Sequence, residues 1–256
     1  MTRIGRLRAE ATAAARSFGR RRTAVVFTFL FPAILVGIFG ALVTTRPGGG
    51  GVFAEPAGYY LPGYLATVVL FTPLSRIGSE IARHRSDRRF EKLATTPLSR
   101  AEWLAAHTAV NVAVVGAASL VVVGLVVLVT DARIPLAPRT LVVVPFVALG
   151  VVVFCGLGAV LGRVADSQDG VIAASNTVAL PTLFLSDTFL TPELVPAWVV
   201  TAAGVSPLTY FARGVRAVTF VGGGPEPLGV VGNLAVLAVL AVAFFAAGAY
   251  AVPRTE

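Results

Sequence analysis

Six long apolar runs, separated by short polar or glycine- and proline-rich stretches, dominate this 256-residue chain. Each run approaches or exceeds the ~20 residues that a helix needs to cross ~30 Å of hydrocarbon. None alternates with the period of two that a transmembrane β-strand requires. The pattern predicts an all-α, polytopic membrane protein of one domain (1–256), with transmembrane helices at 24–43, 59–77, 103–129, 141–161, 171–189 and 228–252.

The segment before the first run, residues 1–22, has a helical pattern of its own. Apolar side chains recur there every three or four positions, with arginines on the remaining faces, at Ile4, Leu7, Ala11, Ala14 and Phe18. This pattern is typical of a helix that lies in the headgroup region of a membrane. A basic flank that only sets topology is the alternative, and the sequence leaves both open.

A second irregular segment, residues 191–227, precedes the last run. It is mostly apolar, but Pro196, Gly204 and Pro207 interrupt it too often for a straight transmembrane helix. We predict a re-entrant or interfacial element outside the cell, with Trp198 and Tyr210 at headgroup depth. An ordinary external loop with aromatic anchors is the alternative.

Composition agrees with a membrane protein, since 56% of residues are hydrophobic and 13% are charged, against about 25% charged in soluble domains. The net charge of +8 lies on segments that flank the apolar runs, which reflects membrane orientation instead of nucleic-acid binding. With the N-terminus inside, sixteen of the 21 Lys and Arg residues are cytoplasmic. We therefore predict a multi-pass plasma-membrane protein with both termini in the cytoplasm.

The densest charge lies in residues 80–102, which this orientation places in the cytoplasm. Phe90 and Leu93 are three positions apart and share one helix face, and Thr96-Pro97 then ends the helix. We predict a short helix whose two apolar side chains face the cytoplasm and dock into a groove on a soluble protein. The alternative is that this loop is basic simply because cytoplasmic loops usually are.

Catalytic and metal-binding patterns are missing from the sequence. A phosphate-binding P-loop needs a lysine directly after glycine, whereas the one lysine, Lys92, follows Glu91. Two histidines and the single Cys155 are too few for a histidine-rich metal site, a cysteine cluster or an intrachain disulfide. We therefore expect neither enzymatic activity nor a cofactor in this chain.

Two further patterns concern the helices themselves. Asp187 is the one acid inside a predicted span, near its end, and we expect it either in a pathway or gate, or simply at the membrane interface. Gly158 and Gly162 form a GxxxG pattern, which permits close contact between helices.

The order of these features resembles the ABC type-2 permeases, the membrane subunits of ATP-binding-cassette exporters. Their loop between spans two and three ends in a similar motif, matched here by Glu91, Leu93, Thr96, Pro97, Leu98, Ser99 and Arg100. Their signature before the last span is matched by Pro192, Pro196, Trp198, Pro207, Leu208, Thr209, Tyr210 and Arg216. Arg88 and Asp187 stand where glycine is more usual in the family, and Ser206 stands where asparagine is.

The resemblance implies the membrane permease of an exporter, paired with a second permease copy as a homodimer or heterodimer. It implies a docking surface for an ABC ATPase subunit, which carries the ATP and Mg, at Arg85, Asp87, Arg88, Arg89, Phe90, Glu91, Leu93, Thr96 and Pro97. It implies an external gate or pathway at Asp187, Pro192, Pro196, Trp198, Pro207, Tyr210 and Arg216. The apolar spans favour a hydrophobic or amphipathic cargo, and a stand-alone, ion-coupled secondary transporter is the alternative function.

Overall fold

The apolar runs form helices, because a backbone in hydrocarbon must satisfy its own N–H and C=O groups. The computed structural model describes residues 2–42, 55–130, 132, 134–135, 137–189, 196–220 and 228–253. Within those ranges the chain contains no strand and forms ten α-helices: α1 (Arg3–Arg20), α2 (Arg22–Val36), α3 (Leu61–Ser86), α4 (Arg89–Ala94), α5 (Arg100–Val129), α6 (Val143–Val164), α7 (Gln168–Phe184), α8 (Ala197–Ala203), α9 (Pro207–Thr219) and α10 (Gly229–Ala251).

Several of these helices are long and apolar enough to cross a membrane. Among the described residues there are five such spans: Arg22–Gly40, Ala57–Ser86, Arg100–Val129, Pro138–Val164 and Gly229–Ala251. The predicted run at 171–189 corresponds to α7, whose 17 residues extend about 25 Å. An all-α membrane protein is confirmed, and the count of six spans stays a prediction.

Helix α3 forms the centre of the bundle and packs against α5, α6, α7 and α9. Its close contact with α6 depends on the GxxxG pattern. A Cβ atom added at Gly158 would lie 2.5 Å from the Leu74 carbonyl oxygen, and one added at Gly162 would lie 2.6 Å from that of Gly78. The two glycines therefore serve a helix contact within this chain.

The charged segment 80–102 comprises the end of α3, the short helix α4 and the start of α5. The predicted short helix is confirmed, and it ends at Ala94, just before Thr96-Pro97. Helix α5 then begins with a capping box, because the Ser99 hydroxyl accepts from the Glu102 N–H while the Glu102 carboxylate accepts from the Ser99 N–H.

The interrupted segment before the last span is described for residues 196–220. It folds into α8 and α9, which are joined by a turn at Gly204–Ser206. The 13 residues of α9 extend about 20 Å, too short for a bilayer. Helix α9 packs against α3, α6 and α10, and its re-entrant position in a membrane stays a prediction.

Candidate functional site

Helix α4 is held against the bundle by a cluster of aromatic rings at the end where α3 terminates, which we call the α4 end. Phe90 is only 6% exposed. Its ring makes edge contacts with the rings of Trp103 on α5, at 5.5 Å, and His84 on α3, at 5.4 Å. The prediction that Phe90 faces the cytoplasm is therefore wrong, because the neighbouring helices supply an apolar pocket that buries it.

The fold of α4 onto this pocket depends on a sharp turn at Arg88. Its backbone is left-handed, with φ 51° and ψ 33°, and it lies between the last residue of α3 and the first of α4. Glycine adopts this conformation at little cost, whereas the Cβ atom of any other L-residue makes it sterically unfavourable. The chain turns here despite the arginine.

Among the other predicted docking residues, two side chains contact the rest of the chain and the remaining ones are exposed. Leu93 is half-buried and lines a groove of about 410 Å³ beside Trp103 and Val252. Arg85 donates to the carbonyl oxygens of Arg163 and Ala165, at 3.2 and 3.0 Å, and so joins α3 to the α6–α7 connection. The exposed docking residues are Asp87, Arg88, Arg89, Glu91, Thr96 and Pro97.

Ion pairs of three carboxylates connect the N-terminal part of the chain to the α4 end. Two of them involve helix α1, and the third involves Arg21 between α1 and α2. Glu102 accepts from Arg6 at 2.9 Å and also pairs with Arg3 at 3.3 Å. Glu10 lies 3.2 Å from the imidazole of His107, and that hydrogen bond lowers the pKa of the Glu10 carboxyl. The pattern in residues 1–22 predicts the helix but not these ion pairs, because each pair also needs Glu102 or His107 on the distant helix α5.

The third carboxylate, Glu80, lies near the end of α3. Its oxygens pair with Arg21 at 3.4 Å, with Arg83, and with His84 at 3.3 Å. His84 in turn lies 3.2 Å from an Arg89 guanidinium nitrogen. Charged groups on three elements therefore meet behind the exposed surface of α4.

A groove of about 740 Å³ continues from this charged region along α2, α3 and α7. Its walls include Phe27, Phe31 and Phe71, and the rings of the last two make an edge contact at 6.3 Å. Arg21 and Arg76 lie at its polar end. The sequence predicts an apolar pathway and does not point to these two cations.

At the opposite end of α3 a second ionic cluster joins α7 to α9, and we call it the Asp187 end. Asp187 is 9% exposed, and its Oδ2 atom accepts from Arg213 Nε at 2.6 Å. Arg216 donates to the Asp187 carbonyl oxygen at 2.7 Å, and its guanidinium lies 4.1 Å from the centre of the Tyr59 ring. The structure thus brings together Asp187 and Arg216, as well as Arg213 and Tyr59, which the sequence motifs did not single out.

The remaining predicted gate residues define the turn between α8 and α9. Pro196 precedes α8, and Pro207 is the first residue of α9. The Tyr210 hydroxyl donates to the Gly204 carbonyl oxygen at 2.6 Å and fixes this turn, whereas Trp198 is 66% exposed. Pro192 lies outside the described residues.

The described residues contain no cluster of His, Cys, Asp and Glu side chains suited to a metal ion. The family model described as "ABC-2 type transporter" matches residues 7–220, a range that includes both the α4 end and the Asp187 end. The comparison with curated proteins gives no match.

Proposed function

Because this chain belongs to the ABC-2 type transporter family, we propose that it is the permease subunit of an ATP-driven exporter. Family membership and the apolar helices establish a multi-pass membrane transport component. The proposal adds that a separate ABC ATPase subunit, which holds the ATP and Mg, docks at the α4 end. It also adds that a hydrophobic or amphipathic cargo moves outward past the Asp187 end.

The observation that carries the proposal is the way α4 is anchored. Phe90 is wedged between His84 on α3 and Trp103 on α5, while the opposite face of α4 is exposed. A partner that moves α4 would therefore also move two long helices. Buried Phe90 acts as the internal anchor in this proposal, and exposed side chains make the contact with the ATPase.

The exposed side chains indicate the chemistry of that contact. Arg88, Arg89 and Lys92 outnumber Asp87 and Glu91 on this surface. Complementary charge mainly speeds association and selects the partner. We infer that the ATPase presents a mostly acidic rim around its docking groove.

The far end of α3 supports a role for the Asp187 cluster as an external gate. Arg213 and Arg216 on α9 hold the end of α7 through Asp187, and Arg216 also covers Tyr59, just before α3. A tilt of α3 would disturb these contacts. We propose that they close the outer end of the pathway and separate when cargo leaves.

Affinity purification of the tagged full chain from membranes of its native host tests the proposal. An ABC ATPase subunit should co-purify, and the complex should hydrolyse ATP. The double variant Arg88→Glu/Lys92→Glu should recover about tenfold less ATPase subunit, because it replaces attraction by repulsion. Arg139→Glu, at an exposed position before the start of α6 and away from the α4 end, is the matched control and should recover the normal amount.

Two results would contradict the proposal. The first is a wild-type chain that purifies without any ATPase subunit but still transports, with transport abolished by an ionophore, as an ion-coupled carrier requires. The second is a charge-reversed variant that binds the ATPase subunit as strongly as the Arg139→Glu control.

A further inference from the structure

The groove along α2, α3 and α7 has chemically different ends. Its volume of about 740 Å³ falls within the ~300–1,000 Å³ range of small-molecule sites. Phe27 and Phe31 line the apolar part and are 64% and 45% exposed. Arg21 and Arg76 line the polar part. An amphipathic molecule fits such a division better than a wholly apolar or wholly polar one.

The polar end carries an excess of positive charge. Glu80 is the one carboxylate that lines the groove among the described residues, and it already pairs with Arg21, Arg83 and His84. Its negative charge is therefore shared among several basic groups. Arg76, the other cation at this end, forms no ion pair with a carboxylate among the described residues.

The direct contacts of Arg76 in the described part of the chain are with neutral groups. Its guanidinium donates to the Asn111 side-chain oxygen at 3.4 Å and lies 4.1 Å from the centre of the Phe18 ring. The amide group of Asn111 is fixed by its own bond to the His107 carbonyl oxygen at 2.9 Å. These contacts hold Arg76 in place at the groove without neutralising its charge.

The position of Arg76 within the apolar part of α3 makes this charge costly. It lies one helical turn before Glu80, about 6 Å along the helix towards the Asp187 end. A cation in apolar surroundings is expensive unless an anion or water compensates it. A bound anionic group would supply that compensation in the same place where the groove becomes polar.

We infer that this groove binds an anionic amphiphile as cargo. Its phosphate or carboxylate head lies against Arg76 and Arg21, and its apolar tail lies along Phe27, Phe31 and Phe71. The inference rests on the proposed function and adds to it the charge of the substrate class, which the sequence does not indicate.

Native mass spectrometry of the full chain in detergent tests this site with two probes that have identical acyl chains. Dioleoylphosphatidylglycerol carries a negative head, whereas dioleoylphosphatidylcholine is zwitterionic. We expect the wild type to bind the anionic probe about tenfold more tightly, as one charge-assisted contact allows. Arg76→Gln should remove that preference, whereas Arg76→Lys should retain it.

Arg163→Gln is the matched control, because Arg163 is an exposed arginine of α6 outside the groove and its loss should leave the preference unchanged. Three outcomes would overturn the inference: equal binding of the two probes, a preference that survives Arg76→Gln, or displacement of the anionic probe by inorganic phosphate alone. A second copy of the chain that occupies the groove would appear as a dimer that excludes the probe, and that also overturns it.

Failure of this inference and failure of the proposed function give different results. If the purified complex with the ATPase subunit hydrolyses ATP but shows no preference for the anionic probe, only the cargo class is wrong. If the groove binds the anionic probe but no ATPase subunit associates with the chain, the site stands and the exporter proposal fails.

Discussion

Replacing Arg88 by glycine should stabilise this protein, although it removes a charged side chain. Helix α3 ends at Ser86, and Arg88 lies two residues later in the left-handed conformation, with φ 51°. Helices often end with a left-handed residue, which is usually glycine because it has no Cβ atom. The substitution would supply the residue that this turn favours.

Two opposing contributions set the size of the effect. Left-handed backbone costs a residue with a Cβ atom roughly 1–2 kcal/mol relative to glycine. Glycine also gains about 0.4–1 kcal/mol of conformational freedom in the unfolded chain, which offsets part of that benefit. The Arg88 side chain is exposed and makes no capping hydrogen bond, so its removal adds little. We expect a net stabilisation of about 0.5–1 kcal/mol.

Thermal unfolding in a fixed detergent, followed by tryptophan fluorescence, measures this effect. Trp103 is 2% exposed and contacts Phe90 of α4, so its emission reports on this site. We expect Arg88→Gly to raise the apparent Tm by about 1–4 °C, given ~2–4 °C per kcal/mol for a chain of this size. The β-branched variant Arg88→Val should lower it, because such residues tolerate left-handed backbone least.

Arg88→Ala separates backbone strain from the loss of the side chain. It removes the same charge as Arg88→Gly but keeps the Cβ atom, and we expect an apparent Tm within a degree or so of wild type. If the glycine and alanine variants shift the Tm equally, strain at this turn does not explain the effect and the reasoning is refuted. The same conclusion follows if Arg88→Val is as stable as Arg88→Gly.

Three further predictions concern the anchor, the helix packing and the N-terminal helix. Phe90→Ala should lower the unfolding free energy by about 3 kcal/mol, because it empties an aromatic pocket; an unchanged Tm would contradict its role as an anchor. Gly156→Ala should cost about 1–3 kcal/mol, since its methyl group would overlap the α10 backbone, whereas Gly116→Ala, with open space around it, should lose nothing. The hydrogen bond to His107 lowers the pKa of the Glu10 carboxyl, so the ionised carboxylate stabilises the folded protein. This stabilisation is complete above the ordinary pKa of about 4.3 and is lost as the pH falls through the lowered pKa. Tm measurements between pH 7 and pH 3 should therefore show a smaller acid-induced loss in Glu10→Gln than in wild type, and parallel curves would contradict this.

Much of the helical layout can be predicted from the sequence because hydrocarbon imposes length and composition on each span. The fourth run, predicted at 141–161, is helix Val143–Val164 in the structure, and the last, predicted at 228–252, is Gly229–Ala251. The period of three and four likewise predicts the helix in the N-terminal arm, which the structure has at Arg3–Arg20. These features depend on neighbouring residues alone.

The candidate site depends instead on contacts between distant residues. A spacing of three places Phe90 and Leu93 on one face of α4, but it does not tell which face meets the bundle. The pocket for Phe90 is built from His84 and Trp103, whose rings become neighbours only when α3 and α5 pack. The pairing of Asp187 with Arg213 across 26 positions is equally invisible to a local pattern.

The end of α3 shows how such contacts change a functional interpretation. The sequence predicts that the second span stops at residue 77, just before the charged segment 80–102. In the structure the helix continues to Ser86, since Glu80 pairs with Arg21 and Arg83 and the charges need not be solvated in a loop. A flexible loop would absorb a displacement of α4, whereas a helix transmits it. The 26 residues of α3 extend about 39 Å, so this single element joins the pocket of Phe90 to the Asp187 end, and the ion pairs of Glu80 stabilise its charged last turns.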